Sequence, residues 1–188
     1  PEYVSAMMLA ISMMFLRFMI LILIFSTSIF LDIYPYLLIM SVTAAGIGIF
    51  IHKKHTIKGE REVIEEPETE SNPLEFKVAL IFALLFVVFT FLTHYTLVYA
   101  GTGGLSILSI ATGLSDITPF ILNLLQGGNI PATIVGACIM QAIISNIVVN
   151  MFYAIFFSSR RKEMLPYVWK GFLTVIGVNA VLLLIYYF

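Results

Sequence analysis

A few polar side chains stand in apolar surroundings where they could do chemistry in this 188-residue chain. Arg17 lies near the centre of a long apolar run, with LAISMMFL before it and FMILILIF after it. A guanidinium held there costs at least about 2.5 kcal/mol and is too deep to reach the interface. It needs a partner of opposite charge. Asp116 is the one acidic residue far from an expected interface. Pairing it with Arg17 removes both penalties and predicts a charged site at mid-depth, with Ser115 beside it. Gln141, Ser145 and Asn146 follow the spacing i, i+4, i+5, and Asn150 comes four residues later. They form one polar stripe on a helix whose other faces are apolar. Amide side chains offer both donor and acceptor, which suits a hydrated ion, a small solute or another helix. The expected ion- or solute-binding set is therefore Arg17, Asp116, Ser115, Gln141, Asn146 and Asn150. Its plain alternative is packing: a buried pair that fixes helix geometry, and amides that act as interhelical glue worth about 0.6 kcal/mol per contact. Thr43 and Thr174 could join such a lining or bond their own helix backbone.

The elements that must position these groups follow from composition. The chain is 60% hydrophobic and 11% charged, whereas a soluble domain of this size carries about a quarter charged residues. That excludes an ordinary soluble globule and predicts an all-α, polytopic transmembrane bundle. Ten Lys and Arg against 11 Asp and Glu leave no basic face for a phosphate backbone, so nucleic acid is not a partner. Lone Cys138 cannot form an internal disulfide and reads as a small buried hydrophobe. A spanning helix needs about 20 apolar residues. Five stretches are expected to cross, roughly 4–30, 35–51, 74–100, 130–157 and 167–188. The segment 53–76 holds most of the charge and two prolines, so it reads as an aqueous loop within a single transmembrane domain, 1–188. Pro1 and Glu2 lead straight into a span without a signal-peptide pattern, which suggests a fragment or processed chain lacking earlier helices.

The stretch 101–128 differs from the other apolar runs. Gly113, Asp116 and Pro119 interrupt its middle, predicting two half-helices, about 105–112 and from 115 or 117 to 125, with Ser115 or Asp116 as N-cap and Pro119 in the first turn. Such backbone is tolerated at membrane depth only under cover of protein or a water-filled cavity. Were this segment to cross, Lys53, Lys54, Lys58 and Arg61 would lie on the opposite side from Arg160, Arg161 and Lys162. A re-entrant hairpin puts all seven on one side, as the positive-inside tendency favours. A hairpin would also invert one helix pair relative to the other. Residues 12–17 align sparsely with 145–150, and Pro35, Tyr36, Thr43 and Gly46 with Pro166, Tyr167, Thr174 and Gly177. An inverted repeat or chance similarity among apolar helices explains that match.

Other features carry plainer readings. His94 sits among interfacial aromatics, His52 and His55 at a solvated helix end beside Lys53 and Lys54, and the glutamates of the loop in water. Trp169 and Lys170 look like an interface anchor, and Ala44, Gly48, Ala132 and Gly136 permit close helix contact. No nucleotide, metalloprotease or nucleophile-elbow motif occurs, and neither cofactor nor metal is expected.

The strings AISMMFLRFMILILI, NPLEFKVALIFALLF, IATGLSDITPFILNL and IISNIVVN together resemble an uncharacterised prokaryotic domain, the domain-of-unknown-function 4010 type. That domain commonly follows an MgtC/SapB-type domain. The resemblance covers nearly the whole chain and implies a multi-pass inner-membrane protein of prokaryotes, linked to magnesium-stress proteins only by a neighbouring domain. The family pattern has a Ser/Thr-rich segment before the first span and a lysine at the position of Asn150, neither of which this chain has. Three functions follow as expectations. The first is a transporter or permeation module for a small ion or solute with a midplane polar site. The second is a non-catalytic, MgtC-like regulatory or assembly subunit, and the chain as a homo-oligomer fits either. An intramembrane enzyme ranks last, because Asp116 has no second acid, histidine or metal-ligand companion at its depth.

Overall fold

In lipid the backbone must satisfy its own hydrogen bonds, so apolar runs of this length close into helices. A computed structural model describes residues 2–55, 74–127, 130–157 and 161–187, and the structured parts are helical. Six helices follow in order: α1 (Glu2–Phe25), α2 (Thr27–His55), α3 (Leu74–Thr112), α4 (Thr118–Gln126), α5 (Ala132–Phe157) and α6 (Arg161–Tyr187). All but α4 are long and apolar enough to cross a membrane. The chain is therefore a multi-pass integral membrane protein. Most of the aqueous loop expected at 53–76 lies outside the described residues.

The first turn falls earlier than the sequence suggests. The expected gap between Phe30 and Pro35 is helix, and the chain reverses at Ser26, whose Oγ accepts from the amide of Ile29 at 3.4 Å as an N-cap would. Pro35 lies inside α2 without ending it. The two antiparallel helices approach closely. Ser5 donates to the Gly48 carbonyl at 2.7 Å, Ser12 donates to the Ser41 carbonyl at 2.9 Å, and Ser41 donates back to the Ser12 carbonyl at 3.2 Å. A Cβ on Gly48 would stand 3.2 Å from the Ser5 carbonyl oxygen, so the small residue is what lets the backbones meet.

Gly101 settles how the interrupted stretch runs. It adopts φ 59 and ψ −153, a left-handed conformation open to glycine, and splits α3 into a span and a returning half-helix. A Cβ on Gly104 would meet the Thr96 side chain at 2.8 Å, although eight residues of straight helix would separate them by about 12 Å. The chain has therefore folded back on itself. The returning half-helix then runs alongside α5 in the same direction: Ser109 bonds Gln141, the Ile110 carbonyl accepts from Ser145, and the Gly113 carbonyl accepts from Asn146. Residues 113–117 turn level with the middle of α5, and α4 climbs back to reach the start of α5. Both limbs thus open at one end of the bundle, and 102–126 is a re-entrant hairpin rather than a sixth crossing.

The remaining contacts fix the sense of each helix. Gly171 of α6 faces Met8 and Ile47, so the start of α6 lies with the start of α1 and the end of α2. Tyr186 packs edge-on against Tyr36, and its hydroxyl reaches the Ala132 carbonyl at 3.5 Å at the opposite end. The α1–α2 pair and the α5–α6 pair accordingly traverse the bundle in opposite senses. The helix ends at His55 and Arg161 share one end, as the hairpin topology requires of the basic segments. The core gathers Met8, Phe15, Phe18, Leu37, Phe120, Ile143 and Phe172, all fully buried.

Candidate functional site

The hairpin tip brings the two deep charges together, but through an intermediary. Asp116 accepts from the Thr118 amide at 2.9 Å and from the Thr118 hydroxyl at 2.7 Å. That hydroxyl in turn accepts from an Nη of Arg17 at 2.9 Å. Arg17 and Asp116 are therefore linked by one hydroxyl rather than in direct contact as the sequence suggests. The reason is local: an aspartate before a helix folds its carboxylate onto the amide two residues on, which turns Asp116 toward Thr118. Ile117 holds the N-cap position of α4 without a side-chain cap, and Asp116 performs that service from one residue earlier. The Arg17 guanidinium also lies 5.1 Å over the Phe18 ring, a geometry of cation–π attraction.

These charges are deep yet open. Arg17 and Asp116 are both exposed on the surface of the chain, although Arg17 lies in the second half of a 24-residue spanning helix. A guanidinium at that depth does not face bare hydrocarbon without severe cost. Behind the tip, Pro119, Phe120 and Ile121 are buried and seat the hairpin, with Phe120 against Phe89 of α3.

The α5 stripe meets the hairpin from the other side, and most of its hydrogen bonds are spent there. Gln141 accepts from Ser109 at 2.9 Å and donates to Tyr187 at 3.3 Å. Ser145 donates to the Ile110 carbonyl at 2.6 Å, and Asn146 donates to the Gly113 carbonyl at 3.4 Å. Asn150 donates to Asn146 at 3.1 Å. Ser115 donates back to the Thr112 carbonyl at 3.2 Å. Ser145 and Asn146 thus cap the half-helix from outside, while its last turn tightens so that the carbonyls of Ile110, Ala111 and Thr112 also accept from the amides three residues on. Of the six residues expected to form one site, Arg17 and Asp116 join at the tip. Asn146 bonds its backbone with Asn150 behind it, Ser115 closes the preceding turn, and Gln141 sits farther up the hairpin limb.

Thr43 and Thr174 each donate to the carbonyl four residues back in their own helix. Cys138 is buried, as its apolar setting suggests.

Several polar residues escaped the sequence. Thr118 is the relay itself, and its signal was the Asp-x-Thr spacing, which favours an aspartate turn. Asn123 donates to Thr90 at 2.6 Å and pins α4 to α3. Asn179 of α6 is fully buried, and neither its amide nitrogen nor its amide oxygen has a partner. A single asparagine in an apolar helix carries no spacing signal.

Fold and site together define a multi-pass α-helical membrane protein with a re-entrant hairpin that ends in a charged relay. Within that class, the chain belongs to the family described as Domain of unknown function (DUF4010), whose model matches residues 1–158. It is also 24% identical over 153 residues to an uncharacterized protein of Aquifex aeolicus (strain VF5), covering 80% of this chain. The chain spans 63% of that relative's length. No solved structure matches it.

Proposed function

We propose that this protein is a transporter or permeation module for a small ion or solute, set in a prokaryotic cytoplasmic membrane with its basic helix ends inside. One observation supports the proposal: a guanidinium, a hydroxyl and a carboxylate stand in series where the re-entrant hairpin turns beside the middle of the spanning helices, with Arg17 and Asp116 exposed. Discontinuous helices that end at the midplane and inverted helix pairs are the materials of secondary-transporter sites. An ionisable residue kept inside a membrane usually marks a pathway.

The test is osmotic swelling of proteoliposomes against a panel of small ions and solutes. Asp116→Asn and Arg17→Gln are each expected to slow the permeating species about tenfold or more, equal to about 1.4 kcal/mol in rate, while still folding. Wild-type vesicles no faster than protein-free ones across the panel would sink the proposal.

A second reading, an MgtC-like regulatory or assembly subunit, draws on the way Gln141, Ser145 and Asn146 bond the hairpin rather than stand open. On that reading the two charge variants change thermal stability or assembly and no flux exists to lose.

A further inference from the structure

We infer that the site at the hairpin tip takes a small zwitterion, a solute with one carboxylate and one cationic nitrogen of the α-amino-acid kind; this rests on the transport reading above. Three features of the site lead to it. First, its own charges cancel. Among the described residues, Arg17 and Asp116 are the two full charges at that depth, so a guest of zero net charge leaves the midplane neutral, whereas a lone ion adds an uncompensated charge.

Second, the spare hydrogen-bonding capacity is of both kinds and sits on those two side chains. The guanidinium has five N–H donors and uses one on Thr118. Asp116 receives both Thr118 bonds on Oδ1, leaving Oδ2 able to accept from a guest. The carbonyls at the end of the returning half-helix are engaged: that of Ile110 by Ser145, that of Thr112 by Ser115 and that of Gly113 by Asn146. A bare cation at Asp116 meets Arg17 one hydroxyl away, and a bare anion at Arg17 meets Asp116 across the same hydroxyl.

Third, the spacing fits. Thr118 Oγ1 separates the charges by bonds of 2.9 Å and 2.7 Å. A solute whose opposite charges are one carbon apart can lay its carboxylate on the guanidinium and its ammonium on Asp116 while Thr118 stays between them. Each new bond is then charge-assisted.

The experiment uses proteoliposomes of the full chain with three probes: a radiolabelled mixture of neutral amino acids, acetate and ethylammonium. Wild type is expected to take up the amino acids about tenfold faster than either singly charged probe. Asp116→Asn leaves Arg17 uncompensated and is expected to shift preference toward acetate. Arg17→Gln is expected to shift it toward ethylammonium, and Arg17→Lys to keep the amino-acid preference. A merely structural pair would lower all three uptakes in proportion, and that result overturns the inference. Wild-type preference for acetate or ethylammonium overturns the zwitterion while leaving transport standing. No uptake of any probe likewise overturns the zwitterion, and the transport reading is then decided by the swelling panel.

Discussion

Gly113→Ala is expected to destabilise the protein by about 2–4 kcal/mol, through overpacking and the loss of two interhelical hydrogen bonds. A Cβ at this position would press into the Ser145 side chain and stand 2.7 Å from the backbone nitrogen of Asn146. A flexible side-chain tip could swing aside, but the backbone of a spanning helix cannot. The hairpin would have to lift off α5, which breaks the bonds from Asn146 to the Gly113 carbonyl and from Ser145 to the Ile110 carbonyl. Lifting the tip also draws Thr118 away from Arg17, so flux should fall with stability. Gly103→Ala is the matched control: a Cβ there meets nothing within 4 Å. Alanine gains up to about 1 kcal/mol over glycine in a helix interior, so the control should melt no earlier than wild type. Thermal unfolding of both variants in one detergent decides it, and a Gly113→Ala protein that melts with wild type would mean the tip is not seated on α5.

What the sequence discloses and what it hides divide along physical lines. Arg17 and Asp116 were legible because a charge inside hydrocarbon is expensive wherever it points, so type and depth alone mark it. The hairpin was legible for a similar reason, since basic residues on opposite sides would break a strong topological bias. Thr118 was not, because threonine in a helix bonds its own backbone as readily as a neighbour, as Thr43, Thr90 and Thr174 do here. The turn at Ser26 left only a short signal, the polar cluster Ser26-Thr27-Ser28 with its N-cap serine inside an otherwise apolar run, too brief to outweigh the apolar residues on both sides. Pro35 suggested a break that does not occur; neighbouring helices and small local adjustments let a spanning helix accommodate proline. The α5 amides could be listed but not assigned, since donor and acceptor serve a solute and a half-helix equally well. Contact with the Gly113 carbonyl shows that Asn146 serves the half-helix, as the Ser145 hydroxyl does at the Ile110 carbonyl.

Asn179→Leu is expected to raise stability by about 1–2 kcal/mol, or about 3–6 °C in melting temperature for a chain of this length. Asn179 is fully buried, on a stripe with Val168, Phe172 and Val175, and both ends of its amide lack a partner. Leucine carries the same branched skeleton without the polar atoms, so it removes the desolvation penalty and leaves little void. An asparagine retained at such a cost points to a use outside stability. Its depth suggests the use. With Gly171 set against Met8 and the two helices parallel, Asn179 lies eight residues along α6 and Arg17 nine along α1, within about 1.5 Å of one level. The amide is therefore a further polar group at the level of the hairpin tip. The stabilised variant is accordingly expected to transport more slowly than wild type. An Asn179→Leu protein that melts at or below the wild-type temperature would show that the amide is satisfied in the membrane. One that is both more stable and equally fast would remove Asn179 from the proposed site and leave the charged relay and the α5 amides at the tip.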